Sequence, residues 1–165
     1  MNSLRNLLGS SLLVVTGAAS ATTVSVTFVQ SETFTDAGYS RGRATQRDLV
    51  ELQQEMQQHL QRLADRTLGA TDTLQVEVLD VDLAGSFEPH RLASLSDVRV
   101  VRDVTSPRIT LRYTLKQGDR VVTGAEDQLS DMNFLRVHNR YSSGDRLRHE
   151  KPLLDKWFKK RFAKS

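Results

Sequence analysis

Leu74-Gln75-Val76-Glu77-Val78-Leu79-Asp80-Val81-Asp82-Leu83-Ala84-Gly85 decides how this chain is read, because its alternation changes phase in the middle. Leu74, Val76 and Val78 share one face of a strand, whereas Leu79, Val81 and Leu83 share the other. An unbroken strand would therefore set Asp80 and Asp82 beside the first apolar group. Either a β-bulge resets the register or two aspartates point inward, and buried carboxylates would need donors such as backbone amides or arginine. On both alternatives the segment is a long strand of a sheet, and the remaining elements must supply its neighbours and its cover.

Upstream, Val24, Val26 and Phe28 alternate with Ser25 and Thr27, the pattern of a half-buried strand. The glycines, serines and charges of 31–43 fit neither period and predict a surface loop. Thr45 stands three residues before Asp48 as a helix cap, and Leu49, Leu52, Met56, Leu60 and Leu63 follow at helical spacing. Gly69 is expected to close this helix in the left-handed conformation. Its apolar stripe is narrow and too short for a coiled coil, so it is expected to dock on the sheet. The glutamines, glutamates and arginines around it, His59 among them, read as solvated.

Downstream, a loop through Pro89 leads to a weak strand at Val98, Val100 and Val101. Ile109, Leu111, Tyr113 and Leu115 then alternate with Arg108, Thr110 and Arg112. Gln117-Gly118-Asp119 offers a turn into 120–129, an antiparallel hairpin. After Gly144 and Asp145 comes a final helix with Pro152 in its first turn and Leu154, Trp157, Phe158, Arg161 and Phe162 recurring at helical spacing. The fold class expected is α+β, a two-layer sandwich. Its mainly antiparallel sheet of four or five strands is covered by the helix from Thr45 to Leu68 and by the C-terminal helix.

The chain opens with Arg5, an apolar run from Leu7 to Val15, and Ala19-Ser20-Ala21. A positive start, an apolar segment too short to span a bilayer permanently, and small residues before a cut describe a secretory leader over 1–21, cleaved after Ala21. The expectation is a soluble periplasmic protein, one α+β domain over 22–165, without a transmembrane segment. With no cysteine, its fold rests on packing, without disulfides or thiolate ligands. The net charge is +3, of which Arg5 belongs to the leader. A near-neutral balance gives no reason to expect nucleic acid as a partner, although Lys151, Lys156, Lys159, Lys160, Arg161 and Lys164 crowd the C-terminus. That cluster admits contact with an anionic membrane surface, but the aromatic face beside it is more simply core and the lysines its solvated side.

Candidate chemistry is sparse. Asp80 and Asp82 could share a hard cation, but a calcium loop begun at Asp80 has Ala84 in place of its third oxygen ligand and Arg91 in place of the closing glutamate. The two are read as acceptors at a strand end. His59, His90, His138 and His149 lie in unrelated contexts without the spacing of a helical zinc site. There is no Gly-x-Ser-x-Gly elbow and no glycine-rich phosphate loop followed by lysine. No catalytic residue, metal ligand or cofactor is assigned. The residues that would line a ligand site, if the sheet brings them together, are Asp80, Asp82, Arg108, Arg112 and Asp131.

Asp80-Val81-Asp82-Leu83-Ala84-Gly85, Pro107-Arg108-Ile109, Ser130-Asp131-Met132-Asn133-Phe134 and Glu150-Lys151-Pro152-Leu153-Leu154-Asp155-Lys156-Trp157-Phe158 together form a recognisable pattern. Phe28, Phe34-Thr35-Asp36 and Arg140-Tyr141 add to it. The chain resembles the proteobacterial domain-of-unknown-function family 3016, small exported proteins, over nearly all of the sequence after the leader. The resemblance implies one periplasmic domain of a Gram-negative bacterium and no activity or catalytic residue. Ser106 departs from the aromatic residue common before the proline, and Pro152 from the usual helix former. The function expected is an uncharacterised periplasmic protein, a non-enzymatic binding or envelope-interaction module with another envelope protein as partner. The alternatives are a metal-dependent or hydrolytic enzyme using Asp80, Asp82 and Asp131, and membrane-surface contact through the last helix.

Overall fold

Alternation and helical spacing translate into β1 (Thr23–Phe28), α1 (Gln46–Thr67), β2 (Asp72–Asp82), β3 (Ser86–Phe87), β4 (Arg99–Val100), β5 (Arg108–Gln117), β6 (Arg120–Ser130) and α2 (Glu150–Phe162). The structure, a computed structural model, describes residues 22–88 and 98–163. The leader expected over 1–21, the loop expected through Pro89, and His90, Arg91 and Lys164 lie outside the described residues. No helix among the described residues is long and apolar enough to cross a membrane.

α1 starts as its sequence predicts. The Thr45 hydroxyl accepts from the Asp48 amide at 3.2 Å, and the Asp48 carboxylate accepts from the Thr45 amide at 2.8 Å, a reciprocal capping box. Its other end is a correction. Leu68 leaves the helix in extended conformation and Gly69 is not left-handed; the Gly69 amide instead donates to the Asp72 carboxylate at 2.8 Å. Leu49, Leu52, Met56 and Leu60 are buried as spacing predicted; Leu63, the fifth residue of that stripe, is only half-buried, and Ala64 is buried beside it.

The polar side of α1 is not solvated throughout. Gln53, Gln57 and Gln61, spaced by four, are half-buried against β1, whereas Gln54 and Gln58 are exposed. Gln57 accepts from the Val26 amide at 2.7 Å and donates to the Val24 carbonyl; Gln61 accepts from the Val24 amide at 3.0 Å and donates to the Thr22 carbonyl at 2.8 Å. Gln53 donates to the Val26 carbonyl at 2.7 Å. Four helical residues rise about 6 Å and two strand residues about 6.7 Å, so one glutamine per turn meets every second residue of the strand. The side-chain amides act as the missing neighbour strand and satisfy an edge that would otherwise stay open.

The larger sheet has the order β1-β2-β5-β6. The β2–β5 and β5–β6 pairs are antiparallel, as expected, but β1 runs parallel to β2, with Thr23 opposite Thr73 and Phe28 opposite Val78. The sheet is therefore mixed. The cause is α1, which carries the chain back along β1 before β2 begins, and a strand–helix–strand connection makes neighbours parallel. The weak strand expected near Val98 is β4, which pairs with β3 in a separate two-stranded ribbon rather than joining the sheet. Gly85 admits that ribbon. Its φ is +87°, and a Cβ there would stand 2.8 Å from the Val100 carbonyl oxygen.

The phase flip in β2 is a bulge. Val78 pairs with Leu111 and Asp80 with Thr110, which leaves Leu79 as the extra residue. Val78 and Val81 are both buried in consequence, and Asp80 and Asp82 lie on the polar side of the sheet. The hairpin between β5 and β6 turns at Gly118, whose φ of +56° suits the position.

α2 completes the core. Trp157 meets Tyr113, Phe158 and Phe162 edge-on at 5.5, 6.0 and 5.5 Å, and Leu153, Leu154, Phe158 and Phe162 are buried with it. Its aromatic face is thus spent inside the protein. Trp157 is 4% exposed, and its indole donates to Asp127 at 2.9 Å. Trp157→Ala should destabilise the fold by about 3 to 5 kcal/mol, through the cavity left in the core. Denaturant unfolding reads this, and an unchanged midpoint would mean the ring is not part of the core.

Candidate functional site

The five residues singled out by sequence do not share partners. Asp80 holds the loop that follows β1, accepting from the Thr35 amide at 2.7 Å and its hydroxyl at 2.9 Å. That loop leaves β1 through Gln30 in the left-handed region and a 3-10 turn at Ser31–Thr33, then returns to β2 when the Asp36 amide donates to the Val81 carbonyl. Asp80 is thus an acceptor for backbone beside the bulge, with Thr35 rather than Arg108 or Arg112 as its donor. Asp82 lies opposite Arg108 in the register and beside Asp36. Burial raises its carboxyl above the usual range, against the lowering effect of Arg108. Arg112 bridges Glu77 and Glu126, both at 3.1 Å, across three strands of the exposed face. Asp131 pairs with Lys156 on the helical side.

Arg99, placed by sequence in a weak strand, is the cation that serves the loop end. Its guanidinium donates to Asp36 at 2.8 Å, to the Gly38 carbonyl at 2.7 Å and to the Gly85 carbonyl at 2.9 Å, and it stacks 4.7 Å from the centre of the Phe87 ring. One charge thereby fastens the returning loop to the β3–β4 ribbon. This end of the sheet is a fastening between segments, in which Asp80 and Asp36 already have donors.

A built cavity of about 330 Å³ lies elsewhere, between the segment after β6 and the start of α2. Phe134, Val137, Pro152 and the rings of His138 and His149 line it, with Asp131, Lys156, Arg140 and Asp155 at its polar side. The local sequence explains the shape. Asp131 caps its own turn, accepting from the Asn133 amide at 2.9 Å, and so swings Phe134 inward against His149, ring centres 5.1 Å apart. Asn139 spans the other wall, donating to the Arg148 carbonyl at 2.7 Å and accepting from the Tyr141 amide at 3.0 Å. The buried Nδ1 of His149 has no partner among the described residues. Burial, with the Arg148 charge behind it, pushes the imidazole below its ordinary pKa, so the ring is neutral at pH 7.

Asp155 anchors the polar side. It accepts from the Tyr141 hydroxyl at 2.7 Å and from Arg140 at 2.8 Å, and meets His59 Nε2 at 3.0 Å. His59 is 3% exposed, which corrects its reading as a solvated residue: it lies between α1 and α2 with Tyr141 edge-on at 5.8 Å. Burial raises the Asp155 carboxyl, but the His59 and Tyr141 hydrogen bonds and the Arg140 charge outweigh it and hold the group below the usual carboxylate range. Asp131 is likewise held low, chiefly by Lys156. His138 and His149, unrelated in sequence, line one cavity in space. Among the described residues no three histidine or carboxylate groups come together in a way that could hold a metal ion. Sequence contained partial signals for this site in stretches that carried the resemblance: the Ser130-Asp131-Met132-Asn133-Phe134 run, Arg140-Tyr141, and the Glu150 to Phe158 run that holds Pro152, Asp155 and Lys156.

Asp155→Ala should cost about 1 to 3 kcal/mol, since it strands a buried imidazole and a phenol. Because its folded pKa is depressed, the stabilisation from Asp155 is complete above the unfolded value of about 3.9 and vanishes as pH falls through the lower folded value. The stability difference between wild type and variant should therefore shrink as pH falls below about 4. Urea unfolding at several pH values measures it, and a difference undiminished well below about pH 4 would refute the assignment.

No curated protein and no solved structure matches the chain. The family model described as a protein of unknown function, DUF3016, matches residues 22–160, and the chain belongs to that family.

Proposed function

We propose that this chain is a non-enzymatic binding module of the bacterial envelope, exported by the leader read over 1–21 and working in the periplasm as one α+β domain from Thr22. Its ligand site is the cavity lined by Phe134 and His149. The observation that carries this reading is a preformed space of about 330 Å³ with an apolar lining and a buried, unpartnered imidazole nitrogen. Mostly apolar pockets with a few convergent polar groups are where small ligands and side chains bind. The charged groups at the rim are already paired, Asp131 with Lys156 and Asp155 with Arg140, which suits holding a ligand better than moving a proton. Asp80 and Asp82 spend their contacts on the far end of the sheet, so an enzyme that needs them beside Asp131 has less support.

The apolar surroundings point the same way. Met132, Leu135 and Val137, all in the segment that forms the cavity, are exposed large hydrophobics. The start of the family match at Thr22 agrees with a leader removed before the protein works, and a mature chain beginning at Thr22 in a periplasmic extract is the matching test.

Para-cresol and toluene are suitable probes, because they differ by one hydroxyl, which on this proposal pairs with the His149 nitrogen. In an NMR titration of the mature chain, para-cresol should bind with a Kd of about 1 mM or tighter and shift His149, Phe134 and Val137 first. It should bind roughly ten-fold more tightly than toluene, the equivalent of one buried hydrogen bond, and His149→Phe should abolish the difference. Shifts confined to other residues would contradict the proposal, as would equal binding of the two probes.

A further inference from the structure

The two edges of the larger sheet are treated differently. β1 is sealed by the glutamines of α1, but nothing among the described residues pairs with the outer edge of β6, an eleven-residue strand whose residues are mostly exposed. In an antiparallel strand every second residue turns its N–H and C=O away from its partner, so this edge presents a row of free donors and acceptors. Beside it runs α2, with Asp131 paired to Lys156 and Asp127 to Arg161, which fixes helix and strand in opposite directions. A groove of about 200 Å³ lies between them, floored by Leu153 and Trp157 and flanked by Lys156, Lys160 and Arg161. Lys156 also lines the cavity of His149, so the groove and the cavity are adjacent.

The charges select the occupant. Asp127 is saturated by the Arg161 guanidinium and the Trp157 indole. Lys160 adds its field to that carboxylate and forms no ion pair of its own among the described residues, and Lys159 beside it is exposed. A second copy of this chain is disfavoured. Two β6 strands joined antiparallel about a two-fold axis would lay both α2 helices on the same side, lysine against lysine. An extended segment carrying carboxylates meets the opposite condition.

We infer that the outer edge of β6 takes an extended, acidic segment of a partner protein as an added strand, with its acids against the basic flank of α2. At the Lys156 end, one apolar side chain of that segment enters the cavity beside His149. Main-chain hydrogen bonds supply the binding and the flanking side chains the selectivity, the mode of strand addition. The placement of the apolar side chain rests on the binding role proposed for the cavity; the pairing with β6 does not.

The probes are a capped nine-residue peptide alternating valine with glutamate and carrying one phenylalanine, its counterpart with lysine for glutamate, and a version with proline at its centre. Hydrogen exchange and NMR on the full mature chain read the result. The glutamate peptide should slow exchange at alternate β6 amides by about ten-fold or more and shift His149. It should bind about ten-fold more tightly than the lysine peptide, and Lys160→Glu should reverse that preference. The proline peptide, lacking a donor in mid-strand, should bind weakly or not at all. Protection of β6 with His149 unmoved would uphold strand addition and remove the cavity reading. Shifts at His149 with unprotected β6 amides, or equal binding of the acidic and basic peptides, would overturn the inference. Protection that appeared without peptide and rose with protein concentration would also overturn it, in favour of self-pairing.

Discussion

Three side-chain amides hold the edge on which this fold depends. Gln53, Gln57 and Gln61 give β1 the hydrogen bonds that a further strand would have supplied, and they do so from the helix whose other stripe closes the core. A buried backbone group left unpaired costs about 1 to 3 kcal/mol, whereas a paired one gains about 1 kcal/mol net. The seam therefore matters chiefly through what it prevents: five bonds between α1 and residues 22–26 fix the helix axially against the strand. With α1 set, β2 must return parallel to β1; β5 pairs antiparallel with β2, and β6 follows β5 by hairpin geometry. The sheet then grows away from the sealed edge toward the open one.

The second constraint is the extra residue in β2. Leu79 lets Val78 and Val81 both face the core, and it falls where the chain has left β1 for the Ser31–Thr33 turn. Asp80 ties that excursion down at Thr35, and Asp36 rejoins the sheet beside Asp82. Arg99 then spans Asp36, Gly38 and Gly85. The aspartates that stand out in the sequence are explained by architecture at this end, while the cavity forms at the other end of the polar inventory, from residues 131–156.

Much of this was legible because it is periodic. The stripe of α1, the Thr45 cap, the alternation of β5 and the aromatic spacing of α2 each follow from one residue's distance to the next along the chain. The phase flip at Leu79 was legible too, since two incompatible alternations meet there, although only pairing decides between a bulge and inward acids. The glutamine seam was not. A glutamine bonded to backbone and one bonded to water occupy the same polar helix positions, and β1 is remote in sequence. His59 was misread for the same reason, its burial depending on Tyr141 and Asp155, both remote in sequence. The parallel pairing of β1 was implicit in the strand–helix–strand order, but hydrophobic alternation carries no direction. The cavity was hidden because Phe134, Val137 and His138 come from a segment with no period that meets the start of α2, and Asp131 alone of the expected site residues reaches it.

The most direct test of the account is native-state hydrogen exchange at the Val24 and Val26 amides, whose acceptors are Gln61 and Gln57. On this account both exchange as slowly as the amides inside the β2–β5 ladder, and the Gln57→Ala change speeds Val26 selectively. Rapid exchange at Val24 and Val26 in the unaltered chain, with the β2–β5 ladder protected, would mean that β1 is an open edge and that the glutamine seam does not hold the fold.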